Sequence, residues 1–271
     1  MIRCSLHNHT TYCDGQHTPK EMAAEALRIG CTVFGLSEHS PTPFDPEGGM
    51  PPGKVEEYRR DVLMLKESYR GWMEILLGIE QDFFSEPPRR GAYDYIIGSV
   101  HFVRKSGQLC CVDLTAEELE RSIRENFGGD ALALAETYFE TMAQLPEVTG
   151  CGIVGHFDLL TKFNGEGRFF DTQDRRYRRA ALDAMDVLMG KDCLFEVNTG
   201  GMAKGIRKEP YPSRMLLKDL ARRRARVLLS SDAHRKEDIC FAFEQTVQML
   251  SACGFREYWV WQNGSWLSQG L

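Results

Sequence analysis

Histidine and carboxylate side chains follow seven short apolar runs of this sequence, at the point where each run ends. In chain order these ends are His7-Asn8-His9, Glu38-His39, Glu80, His101, His156, Glu196-Val197-Asn198 and Asp232-Ala233-His234. Only the seventh histidine, His17, lies elsewhere, in the first loop. Imidazoles combined with a few carboxylates suit Zn²⁺, Mn²⁺ or Fe²⁺. Six histidines with several acids exceed what one tetrahedral ion needs, so the set favours a cluster of two or three ions.

Two of these ends contain ligand pairs with i, i+2 spacing, His7/His9 and Asp232/His234. In extended chain each pair points to one side and can share a metal centre. A single such histidine is more ordinarily a hydrogen-bonded core residue. Six at matching positions favour a site, because strand propensity gives no reason for histidine to end strands.

Two acids beside the ligand positions allow two interpretations. Glu38 precedes His39, and Asp158 lies two residues after His156. Either acid orients an imidazole from outside the ligand set, or both are ordinary loop acids.

The apolar runs have the length of strands, and most are followed by a helical pattern. The predicted strands are Ile2–His7, Val33–His39, Glu74–Glu80, Tyr95–His101, Gly152–His156, Cys193–Asn198 and Arg226–Asp232. Predicted helices begin after Thr18 and Thr115 and cover Arg175–Met189, Tyr211–Arg224 and Glu237–Ala252. Alternation of strand and helix predicts parallel β/α units. In a β/α barrel the carboxyl ends of the strands form one rim, where active sites lie. The tail Glu257–Trp266 is consistent with a strand pair that turns at Asn263-Gly264.

Length and composition set limits on the protein class. The 271 residues have 42% hydrophobic and 27% charged side chains, which is ordinary for a globular protein and argues against disorder. The net charge of −6 disfavours a general nucleic-acid clamp. No apolar run has the length of a membrane span, and the start is too short and polar for a signal peptide. We expect one domain over residues 1–271, free thiols at the nine cysteines, and a cytoplasmic location.

An ordered set of motifs resembles the PHP (polymerase and histidinol phosphatase) family. The motifs are Leu6-His7-Asn8-His9-Thr10 with Cys13-Asp14-Gly15, Leu36-Ser37-Glu38-His39, Gly78-Ile79-Glu80, Gly98-Ser99-Val100-His101-Phe102, Val154-Gly155-His156-Phe157-Asp158 and Ser231-Asp232-Ala233-His234. Each motif alone is weak, but the ordered set spans nearly the whole chain. The resemblance implies a distorted (β/α)₇ barrel with a metal site at the carboxyl ends of the strands.

The same resemblance implies three divalent ions, of zinc, manganese or iron. The implied first centre is His7, His9, Glu80 and Asp232, the second is Glu80, His101 and His156, and the third is Asp14, His39 and His234. Glu80 bridges the first two centres. Some relatives carry histidine near Asp14, so His17 is the alternative ligand there.

The motifs resemble most closely the histidinol-phosphate phosphatase branch of the family. This implies hydrolysis of L-histidinol phosphate in histidine biosynthesis, by in-line attack of a metal-bound hydroxide without a phosphoenzyme. The implied catalytic residues are Glu80, Asp232 and His234. His17, Arg168 and Arg207 are candidates to bind the phosphate of this small substrate, because cationic side chains suit phosphate oxygens.

Three other functions remain open on sequence alone. The same chemistry could act on another small phosphate ester, such as a nucleotide or sugar phosphate. A metal-binding module without catalysis is the second, and metal-dependent C–N hydrolysis is the third. The basic runs Arg175–Arg179 and Arg222–Arg226 are better explained by solvated helix surfaces than by nucleic-acid binding. The oligomeric state is not predicted.

Overall fold

Seven parallel strands form the central sheet of the protein, for which the computed structural model describes residues 3–271. Its strands are β1 (Cys4–Ser5), β2 (Val33–Leu36), β3 (Glu74–Asp82), β4 (Tyr95–Ser99), β7 (Ile153–Val154), β8 (Leu194–Asn198) and β9 (Val227–Ser230). Two separate antiparallel hairpins are formed by β5 (Phe102–Lys105) with β6 (Gln108–Cys111) and by β10 (Glu257–Gln262) with β11 (Ser265–Gly270). The sheet order is β1-β2-β3-β4-β7-β8-β9, with every neighbouring pair parallel. All seven predicted runs supply strands of this sheet. The predicted start of the first run, Ile2, lies outside the described residues.

A parallel bridge between Asn8 and Ala233 joins the two edges of this sheet just beyond β1 and β9. The His9 amide donates to the Ala233 carbonyl at 2.9 Å, and the Ala233 amide donates to the His7 carbonyl at 3.2 Å. The sheet is therefore a nearly closed barrel, which confirms the predicted distorted (β/α)₇ fold. Four predicted ligands flank the two bridge residues: His7 and His9 lie beside Asn8, and Asp232 and His234 lie beside Ala233.

Helices surround the barrel, as the alternating pattern predicts. They are α1 (Pro19–Arg28), α2 (Val55–Ser68), α3 (Ala116–Asn126), α4 (Ala131–Met142), α5 (Leu145–Thr149), α6 (Arg175–Gly190), α7 (Gly200–Ala203), α8 (Arg214–Arg222) and α9 (Phe243–Cys253). Thr18 and Glu21 form a reciprocal capping box at the start of α1, and Pro19 occupies its first turn. The Thr115 hydroxyl caps α3 by accepting from the Glu118 amide at 3.1 Å.

The barrel interior is filled around the ring of Tyr95. Its hydroxyl donates to the carbonyl of Leu6 and, at 3.3 Å, to that of Leu36. A Cβ atom on Gly35 or Gly78 would lie 2.2 Å from Tyr95 atoms. Glycine at these two strand positions therefore leaves the space that the ring occupies.

The hairpin of β10 and β11 covers the amino end of the barrel, opposite the predicted ligands. The indole of Trp261 donates to Glu74 Oε1 at 2.9 Å, and the Asn263 amide donates to Glu74 Oε2 at 2.9 Å. Trp261 and Trp266 pack against the buried residues at the starts of the strands. The hairpin confirms the predicted strand pair and extends it to Gly270.

Two helices begin later than predicted, and one hairpin was not predicted. Helix α8 begins at Arg214 because Tyr211 pairs with Asn198 in an antiparallel bridge and Pro212 follows it. Helix α9 begins at Phe243 because Cys240 and Ala242 have φ angles of 58° and 55°, which break a helix. The hairpin of β5 and β6 lies between β4 and α3, in a segment without a predicted element.

The first basic run lies on α6, whereas the second begins at the last residue of α8 and continues beyond it, and both contact acidic side chains. Arg176 pairs with Asp130 at 2.9 Å and with Glu136 at 2.7 Å, and Arg178 pairs with Asp219 at 2.7 Å. These contacts support the interpretation of solvated helix surfaces. All nine cysteines are free thiols. Within residues 3–271, no helix combines the length and apolar character that crossing a membrane requires.

Candidate metal centre

Nine predicted ligands meet at the carboxyl end of the barrel. His7 and His9 follow β1, His39 follows β2, Glu80 lies on β3, His101 follows β4, His156 follows β7, Asp232 and His234 follow β9, and Asp14 lies in the loop before α1. Parallel strands place their carboxyl ends on one rim, so residues more than 200 positions apart can share a site. The rim position predicted from the sequence is therefore where these side chains lie.

The carboxylate of Glu80 lies between two sets of imidazoles. Its Oε2 atom is 3.2 Å from His7 Nε2 and 3.5 Å from His9 Nε2. Its Oε1 atom is 2.9 Å from His156 Nε2 and 3.4 Å from His101 Nε2. Each oxygen thus faces one of the two histidine pairs expected to form the first and second centres. This geometry suits a carboxylate that bridges two cations.

The third predicted group lies beside the first two. His234 Nε2 is 3.0 Å from Asp14 Oδ2, and His39 Nε2 is 3.7 Å from Asp14 Oδ1. His39 Nδ1 also lies 2.8 Å from Glu80 Oε2, so His39 contacts both the third group and the bridging carboxylate. Ligand atoms of His9, Asp14, His39 and His234 all lie within 4.8 Å of one another, a spacing that one ion can span.

Asp232 reaches the cluster through a turn and not through an extended segment. Its Oδ1 atom is 3.2 Å from His9 Nε2 and 3.7 Å from His7 Nε2. Its φ of 47° is left-handed, which departs from the extended chain assumed for the Asp232/His234 spacing. Such a conformation costs about 1–3 kcal/mol in a non-glycine residue and is concentrated at functional sites.

Three buried atoms at the centre of the cluster have no hydrogen-bond partner within residues 3–271. They are His7 Nε2, His9 Nε2 and Glu80 Oε2. A buried polar atom without a partner is destabilising, and a ring-nitrogen lone pair facing a carboxylate oxygen adds repulsion. A cation between these atoms would remove both penalties. Imidazole nitrogen and carboxylate oxygen are the donors that zinc, manganese and iron accept, so the residues fit a divalent ion.

Two acids outside the predicted ligand set orient the imidazoles. Glu196 Oε1 lies 2.6 Å from His7 Nδ1, and Asp82 Oδ2 lies 3.3 Å from His101 Nδ1. A carboxylate there accepts a hydrogen bond from Nδ1–H and leaves the Nε2 lone pair directed at the cluster. Sequence reasoning noted Glu196 as a strand end without this role, and it missed Asp82. The i, i+2 spacing from Glu80 to Asp82 is the signal that could have found it.

The charges of the cluster stabilise one another. Burial acts to lower the pKa of His7, but the carboxylates of Glu196, Glu80 and Asp232 outweigh it and raise that pKa well above the ordinary value. Burial likewise acts to raise the pKa of Glu80, yet the neighbouring imidazoles hold it well below its usual range. For His9, burial and then the charges of His234 and His39 lower the pKa to about 3. His9 is therefore a neutral imidazole near pH 7, the form that binds metals.

A family model of the PHP domain matches residues 5–200, which is more than half of the chain. The chain belongs to the PHP domain family. Asp232 and His234 lie beyond the matched residues, and the fold alone brings them to the other ligands. The PHP assignment confirms the resemblance found in the motifs.

Curated relatives and a solved structure of another protein resemble this PHP protein over nearly its whole length. The "Probable histidinol-phosphatase" of Deinococcus radiodurans is 29% identical over 263 residues, covering 93% of this chain and 94% of the relative. The "Histidinol-phosphatase" of Bacillus subtilis is 26% identical, covering 88% of this chain and 96% of the relative. A crystal structure of histidinol phosphate phosphatase from Lactococcus lactis, complexed with zinc, L-histidinol and phosphate, has a TM-score of 0.71. The two sequences are 16% identical, and the superposition covers 97% of this chain and 98% of the Lactococcus chain. This similarity therefore concerns the fold.

The predicted phosphate-binding residues of this PHP protein lie at different distances from the cluster. Arg207 is largely buried, stacks over the Tyr211 ring at 4.3 Å, and donates to Thr161 Oγ1 at 2.5 Å. The Tyr211 ring in turn lies 6.4 Å from that of His156, so Arg207 lies one side chain away from a predicted ligand. A cavity of about 720 Å³ opens beside Arg207.

Arg168 and His17 are not brought into the ligand cluster. Arg168 lies at the surface with its guanidinium 3.1 Å from Glu120, and the structure places it against no predicted ligand of the described chain. His17 accepts from the Lys236 amide at 3.4 Å, two residues beyond His234. Its ring is not among the groups whose ligand atoms converge in the described residues. Asp14 therefore occupies the position for which His17 was the alternative.

The sequence leaves open whether Glu38 and Asp158 orient the histidines beside them. Neither carboxylate contacts its neighbouring imidazole. Glu38 is fully buried, and its carboxylate accepts from the Thr10 amide, the Thr10 hydroxyl and the Cys13 thiol. Asp158 accepts from the Ser213 amide at 3.0 Å. Asp158 thus fixes the loop before α8, whereas Glu38 fixes the loop that carries Asp14.

Proposed function

We propose that this protein is a metal-dependent phosphomonoesterase that hydrolyses L-histidinol phosphate to L-histidinol and phosphate. The position of Glu80 between two imidazole pairs is the observation that carries the proposal. It provides a buried, anionic pocket for adjacent cations, which is the arrangement that phosphate-ester hydrolysis needs. The names of the relatives from Deinococcus and Bacillus support histidinol phosphate as the substrate. A cytoplasmic enzyme of histidine biosynthesis, formed by one domain over residues 1–271, is part of the same proposal.

Three divalent ions per chain are proposed, with ligands divided as the distances suggest. His7, His9, Glu80 and Asp232 would hold the first, Glu80, His101 and His156 the second, and Asp14, His39 and His234 the third. When bound, such ions neutralise a phosphate dianion and lower the pKa of a water molecule toward neutrality. Zinc is favoured because the Lactococcus structure holds it, and manganese and iron suit the same donors.

The exposure of the ligands indicates the side from which substrate approaches. Glu80 and His7 are at most 1% exposed, whereas the side chains of Asp232 and His234 are 16% and 12% exposed and that of Asp14 is 37% exposed. The first two form the floor of the site, and the last three form its open edge. We place the phosphate at this edge, where Asp232 and His234 would hold cations that neutralise it.

The roles of the chain's own groups follow from this placement. His234 Nδ1 lies 2.9 Å from the carbonyl of Asp232, so its proton is held there and Nε2 faces the open edge. Glu80 and Asp232 stay ionised in the surroundings that hold their pKa values well below the usual range, although burial opposes this. Arg207 is the proposed cationic donor to the remaining phosphate oxygens, because its guanidinium stacks on Tyr211, whose ring lies 6.4 Å from that of His156.

The test is phosphate release from L-histidinol phosphate, compared with a panel of nucleotides and sugar phosphates. Protein loaded with Zn²⁺ or Mn²⁺ is compared with the same protein treated with a chelator. We expect a kcat/KM for L-histidinol phosphate of about 10⁴ M⁻¹s⁻¹ or above, well beyond the values for the panel. This activity should be lost when the metal is removed. Weak activity on all esters would refute histidinol phosphate as the substrate. Inactive but metal-loaded protein would refute the phosphatase and leave a metal-binding module.

A further inference from the structure

Three ligand histidines have an oxygen acceptor for the ring nitrogen that faces away from the other ligands. His7 has Glu196, His101 has Asp82, and His234 has the carbonyl of Asp232. His9 differs from them in this respect. The nearest group to His9 Nδ1 is the thiol of Cys13, with Sγ at 3.4 Å, and the next is Asp14 Oδ1 at 4.0 Å.

The Cys13 thiol is itself held by a buried carboxylate. Its Sγ atom lies 2.9 Å from Glu38 Oε2 and 3.2 Å from Asp14 Oδ1. Glu38 is fully buried and fixed in place by the Thr10 amide at 3.0 Å and the Thr10 hydroxyl at 2.7 Å. The three groups therefore form a chain from imidazole to thiol to carboxylate. No oxygen acceptor lies within hydrogen-bond distance of His9 Nδ1 among the described residues.

We propose that Cys13 is a positioning residue for the metal ligand His9. In this arrangement His9 Nδ1–H donates to the sulfur, and the thiol donates to Glu38. The Nε2 lone pair of His9 is then directed at Asp232 Oδ1 and Glu80 Oε2, which lie 3.2 and 3.5 Å away. The inference rests on the metal site of the proposed function, but it concerns metal retention and not the identity of the substrate.

A thiolate that binds metal directly is the competing arrangement, since ligand atoms of His9, Cys13 and Glu38 also lie within 4.8 Å of one another. The contacts favour the relay. Both Glu38 oxygens accept from Thr10, and Oε2 also lies 2.9 Å from the Cys13 thiol, so hydrogen-bond donors already surround this carboxylate. The Nε2 atom of His9, and not Nδ1, faces the carboxylates of the main cluster.

The first experiment measures zinc affinity by competition with a chromophoric chelator in the full-length protein. Cys13→Ala should weaken the tightest-bound zinc by about ten- to hundredfold, the usual effect of removing an outer partner of a ligand. Cys13→Ser, which keeps a donor and an acceptor, should recover most of that loss. Cys253→Ala is the matched control, because this buried thiol of α9 packs in the hydrophobic core and, in the described structure, hydrogen-bonds only to the Arg214 carbonyl, at 3.9 Å. Affinity equal to wild type in Cys13→Ala would overturn the proposal.

Cobalt substitution separates the relay from direct ligation. The relay predicts no sulfur-to-cobalt charge-transfer band in the near ultraviolet, and spectra that Cys13→Ser leaves nearly unchanged. An intense band that Cys13→Ser abolishes would show a thiolate ligand and overturn the relay.

A measurement on the wild-type protein remains decisive even where the alanine variant does not fold. Long-range ¹H–¹⁵N spectra of zinc-loaded protein should show His9 protonated at Nδ1, with the signal assigned by its loss in His9→Ala. Protonation at Nε2 would contradict the proposal. Inactivity toward histidinol phosphate would leave these readouts unaffected, so the failure of either proposal can be distinguished from that of the other.

Discussion

Nδ1 of His7 lies 2.6 Å from Oε1 of Glu196, with both side chains inaccessible to solvent. The second carboxylate oxygen of Glu196 accepts from the His156 amide at 2.9 Å and from Asn198 Nδ2 at 2.9 Å. One strand-end acid thus fixes the ring of His7 and the backbone of His156. His7 lies beside one carboxylate oxygen of Glu80 and His156 beside the other. Glu196 therefore positions one ligand of each of the first two proposed centres, although it is a ligand of neither.

Glu196→Gln should lower zinc affinity by about ten- to hundredfold, because an outer carboxylate sets the tautomer and basicity of its histidine. The measurement is chelator competition, with kcat/KM followed in parallel. Glu244→Gln is the control, since the Glu244 side chain is 92% exposed. Wild-type zinc affinity in Glu196→Gln would show that the contact with His7 has no such role.

Glu80→Gln should reduce the bound metal and lower kcat by more than about a hundredfold. The amide keeps the shape of the side chain but removes the charge and one acceptor oxygen, and metal-ion catalysis contributes several kcal/mol. Metal content by mass spectrometry and turnover are measured on the same sample. Full activity with full metal content would refute the bridging role.

Arg207→Ala should raise KM for the phosphate ester and leave metal content intact, because Arg207 contacts no predicted ligand directly. Loss of a charged hydrogen bond corresponds to about a tenfold change or more. Arg121→Ala, on exposed α3, is the matched control. Arg168→Ala, compared in the same assay, should raise KM less than Arg207→Ala because its partner is the surface acid Glu120. An unchanged KM in Arg207→Ala would remove Arg207 from the phosphate site.

Metal removal should destabilise the folded protein. Without the cations, the neighbouring carboxylates lose part of the positive charge that offsets their mutual repulsion; these carboxylates are Glu80, Asp232, Glu196 and Asp14. Zinc at about one hundred times its dissociation constant would add about 2.7 kcal/mol to the free energy of unfolding. For a chain of this size that corresponds to a rise in Tm of about 5–10 °C. Thermal unfolding in zinc and in chelator measures the difference. A Tm that is equal in the two solutions would contradict a structural contribution of the ions.

Gly78→Ala should lower the free energy of unfolding by about 1–3 kcal/mol, the usual cost of overpacking a core. Its new Cβ would lie 2.2 Å from the Tyr95 ring. Gly152→Ala is the matched control, because among the described residues only its chain neighbours would lie within 4 Å of the new methyl group, and it should change stability by less than about 0.5 kcal/mol. Denaturant unfolding compares the two. Equal stabilities would show that Tyr95 can move out of the barrel axis.

The seven strands and most ligands could be predicted because strand ends share one rim in a parallel barrel. His7, His101 and His156 needed only that rule, and a short apolar run followed by histidine is visible in one sequence. The first residue of the predicted first strand, Ile2, lies outside the described residues. The predicted single domain over residues 1–271 stays a prediction.

The outer partners could not be derived in the same way, because they depend on side-chain directions between elements distant in sequence. Glu196 contacts His7 across 189 positions, and Cys13 contacts Glu38 across 25. Arg168 and Arg207 both occupy loops after barrel strands, and only the fold separates a surface ion pair from a buried guanidinium. The late starts of α8 and α9 follow from a bridge at Tyr211 and from left-handed residues, neither of which periodicity reveals.

The most direct test of the central claim, that Glu80 joins adjacent metal ions, is anomalous diffraction from crystals of the zinc-loaded protein. Data collected on both sides of the zinc absorption edge locate each ion without reference to activity. The account predicts anomalous peaks on both sides of Glu80, one beside His7 and His9 at Oε2 and one beside His101 and His156 at Oε1. The third proposed ion would add a peak beside Asp14, His39 and His234. A single peak in all, or no peak in contact with Glu80, would contradict the account.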